Sequence, residues 1–217
     1  MAPRSDAKKS GLSKGKKTRQ NIVAKAAVLF NQRGFEGCSM QDIVEASGLE
    51  KGSIYGHFSS KEELALEAFD FAWADTVQKR MGNLDTVDDA VDKLKLHVRN
   101  YVNTPSFSGG CPWLNIAVDA DDGNLALRER ARKAVREWEA ALVAIVVEGQ
   151  ERGEIRAEVQ PQGVATLLIS ALEGSTAISR IDKRSQALVH AGENLDRFLE
   201  VIVRSSPNHH QALTTNS

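Results

Sequence analysis

The chain has 217 residues, 41% of them hydrophobic and 26% charged, with a net charge of −1. That is enough for one large or two modest domains with a sizeable core, and it matches no collagenous, disordered or disulfide-rich class. No apolar run approaches the roughly 18 residues of a membrane span, and the basic N-terminus lacks the apolar stretch of a secretory leader. A cytoplasmic protein with no membrane partner is therefore expected.

Charge is unevenly placed. Residues 1–20 carry Arg4, Lys8, Lys9, Lys14, Lys16, Lys17 and Arg19 against Asp6 alone, a net +6, so the rest of the chain carries −7. A basic arm on an acidic body points to a polyanionic partner at one end. Residues 1–15 read as a flexible arm, and Lys14 to Arg19 lead into a helix where phosphate contact is expected.

In chain order, nearly everything reads as helix. Ile22, Val23, Ala26, Ala27, Leu29 and Phe30 recur at helical spacing, and Gly34 is a natural stop. Ser39 with Asp42 resembles a capping box opening a short helix to about Ala46, with Ile43, Val44 and Ala46 inward. Gly48 breaks the chain before a second short helix over Lys51–His57. Ser60 with Glu63 starts a longer one near Lys61, with Leu64, Ala68, Phe71 and Ala72 on one face. Asp85 or Thr86 opens a helix carrying Val91, Leu94 and Val98. Thr104–Gly110 is a loop, and Pro112 suits a first helical position. A long helix spans about Leu125–Arg152, stopped by Gly153. Pro161 opens another with Val164, Leu167, Leu168, Ala171 and Leu172 inward, and the last runs over about Gln186–Arg204. The expected architecture is all-α with about nine helices: a helix-turn-helix head over 16–62, a helical body over 63–205, and a disordered tail over 206–217.

Residues 39–64 carry the functional signal. Two short helices about a glycine turn form a helix-turn-helix, with Gly48 supplying the left-handed conformation. The second helix is too short to stand alone, and its outer face presents Lys51, Ser53, Tyr55 and His57, groups suited to bases and phosphates in a major groove. Lys61 at a helix N-terminus opposes the macrodipole, which suggests a phosphate nearby.

The segment Ser39, Ile43-Val44, Ala46-Ser47-Gly48-Leu49, Gly52-Ser53-Ile54-Tyr55, His57-Phe58 and Ser60-Lys61-Glu62-x-Leu64 resembles the DNA-binding head of the tetracycline-repressor family. Ala26-Ala27-x-Leu29-Phe30 and Arg33-Gly34-Phe35 extend the likeness, which covers residues 17–64. It implies that the Lys51–His57 helix enters the major groove, with Lys51, Gly52 and Ser53 at the bases and Tyr55, His57, Lys61 and Ser39 on phosphates. Glu50 departs from the family's small hydroxyl residue; an acid there can accept from a cytosine amine or face solvent. Gly56 lowers helix propensity by about 1 kcal/mol relative to alanine.

One head covers little DNA, so a homodimer on a pseudo-palindromic double-stranded operator is expected. The resemblance places the dimer interface on the last two helices, with Leu168, Leu172, Leu195, Phe198, Leu199 and Ile202 as candidates; an intramolecular core is the alternative. The middle helices would form a sensor. Trp113, Asn115, His97, Tyr101 and Trp138 are candidates for a small apolar or aromatic ligand, with Phe107 nearby.

Cys38 and Cys111 fit neither a disulfide framework nor zinc spacing; neither metal nor cofactor is expected. Cys111 precedes Pro112 at a helix N-terminus, where the dipole favours thiolate. That makes it a candidate sensor of electrophiles or oxidants, with a structural role as the alternative. Its Gly110-Cys111-Pro112-x-x-Asn115 setting is similar to a stretch in a subset of the family, some of whose members use a thiol as trigger. No nucleophile elbow, phosphate loop or nucleotide fingerprint appears, so the expected function is a ligand- or thiol-responsive repressor and not an enzyme. A DNA-bound architectural or division factor without a sensor is the other reading.

Overall fold

The computed structural model describes residues 13–119 and 124–205. Most of the expected basic arm and the tail from 206 lie outside the described residues. Among these there are nine α-helices and no β-strand: α1 (Lys14–Arg33), α2 (Met40–Ser47), α3 (Lys51–Tyr55), α4 (Lys61–Met81), α5 (Ala90–Asn103), α6 (Pro112–Asp119), α7 (Leu125–Glu151), α8 (Pro161–Asp182) and α9 (Gln186–Phe198), the last continued by a π-turn over Leu199–Val203.

Local chemistry explains the boundaries. Ser39 and Asp42 close a reciprocal capping box on α2, Ser60 Oγ accepts from Glu63 N–H at 3.0 Å on α4, and Asn124 Oδ1 accepts from Leu127 N–H at 2.9 Å on α7. Each side chain satisfies a backbone donor that the helix cannot. Gly48, at φ 66°, ends α2 in the left-handed region.

Several expected details are corrected. The helix expected to open at Asp85 or Thr86 begins at Ala90, because Asp89 is the cap, accepting from Asp92 N–H at 2.9 Å. Leu84–Thr86 forms a separate 3-10 turn. Ala46 is exposed, and Ser47 takes the half-buried place beside Val44. Phe71 and Leu167 point outward. The α3 helix ends at Tyr55, two residues early, where Gly56 follows.

The helices enclose two cores. One joins the head to α6 and α7 through Ile22, Phe30, Ile43, Phe58, Ile116 and Leu127; the other, among α5, α7, α8 and α9, holds Leu94, Trp138, Leu142, Leu168 and Leu199. Trp73, midway along α4, touches both. The expected head–body boundary at 62 falls within the first turn of α4, whose Leu64, Ala65 and Ala68 belong to the head's core.

The candidate dimer residues are redistributed. Leu168, Leu172 and Leu199 are fully buried within one chain and Leu195 nearly so, while Phe198 packs partly against the same core. The helical periodicity had marked an inward face, because α8 and α9 pack on each other and on α5 and α7. Burial of each such leucine stabilises the single chain by about 1.5–3 kcal/mol. Of that set only Ile202 is exposed; the apolar residues α8 turns outward are Leu167, Ile178 and Ile181. By length and composition α8 alone among the described helices could cross a bilayer, yet its buried side is core.

Candidate functional site

The head holds its short helices by two kinds of anchor. Ile54 and Phe58 are buried and fix α3 and the turn after it in the core that α1, α2 and α4 share. The Asp42 carboxylate accepts from Ser39 N–H at 2.7 Å and from Arg33 at 3.0 Å. Hydrogen bonds from Ser39 lead in holding the Asp42 carboxyl below its usual range, with Arg33 adding to them.

With the inner face fixed, Lys51, Gly52 and Tyr55 stand exposed and Ser53 half-exposed. Lys51 Nζ lies 5.7 Å from the Tyr55 ring centre. A Cβ added at Gly52 would meet nothing within 4 Å, so nothing inside this chain calls for glycine there. Ser39 is exposed at the N-terminus of α2 and His57 is half-buried. Lys61 is turned inward: its Nζ donates to the Phe35 carbonyl at 2.9 Å and sits 4.0 Å over the Phe35 ring. In this arrangement its charge serves the head's own packing.

Arg19 is also turned inward, against the expectation of phosphate contact. Its guanidinium lies 4.0 Å over the Phe58 ring, pairs with Glu63 at 3.2 Å and with Glu67, and donates to the His57 carbonyl. One side chain of α1 thereby fixes the end of the α3 segment to the first turns of α4. By contrast Lys14, Lys16 and Lys17 are exposed at the start of α1, a helix with no acid in its first turn.

The body contains a buried polar centre that brings four sensor candidates together. Arg80, near the end of α4, pairs with Glu173 of α8 at 3.3 Å, both side chains being almost fully enclosed. Arg80 lies 3.8 Å over the Tyr101 ring and 5.5 Å from that of Trp138, and these two rings stack 8° from parallel. Tyr101 OH bonds Thr176 at 3.0 Å. Trp138 Nε1 donates to His97 Nε2 at 3.3 Å, so Nδ1 carries the proton shared with the Arg80 carbonyl 3.4 Å away. Complete burial holds His97 neutral, its pKa pushed down to about 4.

Cys111 belongs to this centre, donating its thiol proton to Glu173 Oε1 at 2.9 Å. The expected thiolate is not favoured. Burial and then the neighbouring Glu173 carboxylate push the thiol up to about 12, outweighing Arg80 and the Leu114 amide. Helix position promised a reactive thiol; desolvation reverses the sign. Cys38 is likewise buried, its thiol raised by desolvation.

Trp113 and Asn115 lie elsewhere. Trp113 Nε1 donates to the Ala131 carbonyl at 3.1 Å within the head-side core. Asn115 Nδ2 donates to the Asn31 carbonyl and side-chain oxygen, both 2.9 Å, and to the Gly109 carbonyl at 3.0 Å, while Arg180 reaches its Oδ1 at 2.7 Å. It lines an open cleft of about 750 Å³ between α1, α6 and α8. No cluster of three metal-ligating side chains occurs among the described residues.

Sequence reasoning missed Arg80 and Glu173, and it gave Arg19 a phosphate in place of its partners within the chain. Glu173 did leave a trace: it follows Leu172 and precedes Thr176 on the buried phase of α8, an acid on an apolar face. Its partner, 93 residues away, left none.

Comparison with known proteins agrees with this architecture. Residues 22–68 match the family described as bacterial regulatory proteins, tetR family, and residues 89–195 match the tetracyclin repressor-like C-terminal domain. The chain is 29% identical over 187 residues to the HTH-type transcriptional repressor DhaR of Mycobacterium sp. (strain GP1), covering 85% of this chain and 89% of the relative. Its fold is similar to that of a TetR transcriptional regulator from Chloroflexus aurantiacus, with a TM-score of 0.85 and 40% identity, covering 90% of this chain and 100% of that one. A TetR-family regulator from Cytophaga hutchinsonii gives 0.82 and 32%, covering 88% and 97%. The chain belongs to the tetracycline-repressor family of helix-turn-helix transcriptional regulators.

Proposed function

We propose that the protein is a cytoplasmic repressor that binds a pseudo-palindromic DNA operator as a homodimer and releases it when a small molecule enters the body. The observation that carries the DNA half is the α3 surface: Lys51, Gly52, Ser53 and Tyr55 stand free while Ile54 and Phe58 anchor the other side. The bare backbone at Gly52 allows close approach of an outside partner. Ser39 and His57 complete the contact set, and Lys61 would join it by turning its ammonium away from Phe35. Lys14, Lys16 and Lys17 crowd the positive end of a helix dipole, which favours an external polyanion there.

For the dimer, the supporting feature is the outward stripe of Leu167, Ile178 and Ile181 on α8, with Ile202 beyond α9. Such apolar residues on one face commonly mark protein–protein contact. Release follows a population shift: α4 begins at Lys61 in the head and carries Arg80 into the buried centre one residue before its end, so a ligand that favours another position of its far end changes the spacing of two heads. A covalent thiol trigger is set aside, since Cys111 is enclosed and its thiol raised.

The test is selection of genomic fragments by the purified full-length protein, followed by titration at several salt concentrations. Binding to a two-fold site that weakens by about 10³-fold or more between 50 and 200 mM salt is expected if six or more phosphates are contacted. Salt-insensitive binding, or none at low salt, defeats the assignment.

A further inference from the structure

The buried centre holds an atom without a partner. Glu173 Oε1 receives Arg80 and the Cys111 thiol, whereas Oε2 is buried and makes no hydrogen bond. Buried carboxylate oxygens are ordinarily satisfied, and an exception calls for an explanation. The Arg80 cation paired with this carboxylate lies against the rings of Tyr101 and Trp138, with His97 contributing a ring that burial keeps neutral. A carboxylate with an open acceptor, and aromatic rings against the place where its cation sits, are the components of an organic-cation site. A cation is already there: the Arg80 guanidinium, reaching in from one residue before the end of α4.

We infer that this centre binds an organic cation of the amine or amidine class, which pairs with Glu173 through Oε2 and takes the place of Arg80 against Tyr101. Arg80 is then a built-in occupant that the ligand displaces. This inference rests on the ligand-responsive reading above and supplies its chemistry.

Displacement follows from charge and space. Two cations on one enclosed carboxylate would leave an uncompensated positive charge, which a low-dielectric interior opposes. The gap beside Arg80, bounded by Thr76, Thr104, Pro105 and Phe107, measures about 10 Å³, room for no more than a single water. An incoming anion would pair with Arg80 but leave Glu173, already short of a donor, facing a second negative charge. Arg80 has a short way out, since Met81 ends the helix and Gly82 follows. Its carbonyl, held by Asn100 Nδ2 at 3.1 Å and by His97, ties the last turn of α4 to α5, so a shift of that turn that swings the side chain out strains these bonds and is felt along the helix that reaches the head.

The test uses the full chain with benzamidinium and phenethylammonium as cationic probes, and benzoate and benzyl alcohol as anionic and neutral counterparts. Binding is followed by calorimetry and by quenching of tryptophan fluorescence, and release from the operator is measured separately. The cations are expected to bind about tenfold or more tightly than their counterparts, the margin one charge-assisted hydrogen bond supplies. Glu173→Gln is expected to weaken cation binding by about tenfold or more, and Arg80→Met to strengthen it by a similar factor. The second sign matters, because a merely damaged fold does not bind its ligand better. If Arg80→Met is unfolded alone, recovery of its helical circular dichroism with benzamidinium is the supporting result and failure to recover is the opposing one. Preference for benzoate, no binding by either cation, or no gain in Arg80→Met overturns the inference. Cation binding that leaves DNA affinity unchanged supports the site and rejects the ligand-responsive reading instead.

Discussion

A tyrosine beneath a cation occurs at both ends of this molecule, with opposite surroundings. In the head, Lys51 lies 5.7 Å from the ring of Tyr55, which is 47% exposed. In the body, Arg80 lies 3.8 Å over Tyr101, which is 3% exposed. Water screens the first pair, so its charges cost little to hold and remain available to a partner. The second pair has lost its water and depends on Glu173, His97, Thr176 and Cys111. The same side-chain chemistry is a contact surface in one place and a tightly coupled element of the core in the other.

Substitutions can break that contrast, the largest effects falling in the body. Glu173→Ala leaves Arg80 enclosed without its carboxylate and is expected to cost about 3–5 kcal/mol of stability, read by denaturant unfolding. The paired change Arg80→Met with Glu173→Leu should recover most of it; a double variant no more stable than the single would show that the pair does not act as a unit.

Acid sharpens the same point. The folded pKa of His97, about 4, lies below its ordinary 6.5, so the folded state binds fewer protons than the unfolded one between these values. Its contribution is whole above pH 6.5 and is lost as pH falls toward 4, on the order of 3 kcal/mol in all. Unfolding of wild type and His97→Gln across that range should show a shallower slope in the variant. Equal slopes would mean that His97 is not the group responsible.

In the head the effects are smaller and appear in DNA binding. Arg19→Met removes the clamp on Phe58, His57 and α4, and affinity for the selected operator should fall by about 2 kcal/mol. Because Arg19 faces inward, the dependence of log K on log salt should keep its slope. A slope reduced by about one unit would make Arg19 a phosphate contact after all. Tyr55→Ala should weaken DNA binding by about tenfold while leaving unfolding within about 0.5 kcal/mol of wild type. Ser39→Ala, with its capping hydroxyl gone, should destabilise the head by about 1 kcal/mol; an unchanged midpoint would show that the Asp42 half of the box suffices.

The same division explains what was legible in the sequence. The head is local: Ser39–Asp42, Gly48 and Ser60–Glu63 each act within a few residues, so spacing alone located its helices. The inward roles of Lys61 and Arg19 escaped because their partners, Phe35, Phe58 and Glu67, become neighbours only when α1 meets α4. In the body, periodicity identified the buried stripes of α8 and α9 but could not tell a neighbouring helix from a second chain, and the family resemblance gave Leu168, Leu172, Leu195 and Leu199 to a partner with an intramolecular core as the alternative. Asp89 in place of Asp85 as the cap of α5 was a choice among several acids that spacing leaves open. The Cys111 thiol was judged from its helix position when desolvation decides it.

Asn31 and Asn115 have a mechanical consequence. The Asn31 amide donates to the Ser108 and Gly110 carbonyls at 2.8 and 3.0 Å, and the Asn115 amide returns to Asn31 and Gly109. Gly109 sits so close that an added Cβ would fall 2.6 Å from the Asn31 carbonyl oxygen. Stitched in both directions, the end of α1 and the start of α6 cannot turn independently. Any rotation of the head must carry α6 with it, which leaves the seam between the two cores, crossed by α4 at Trp73, as the fulcrum.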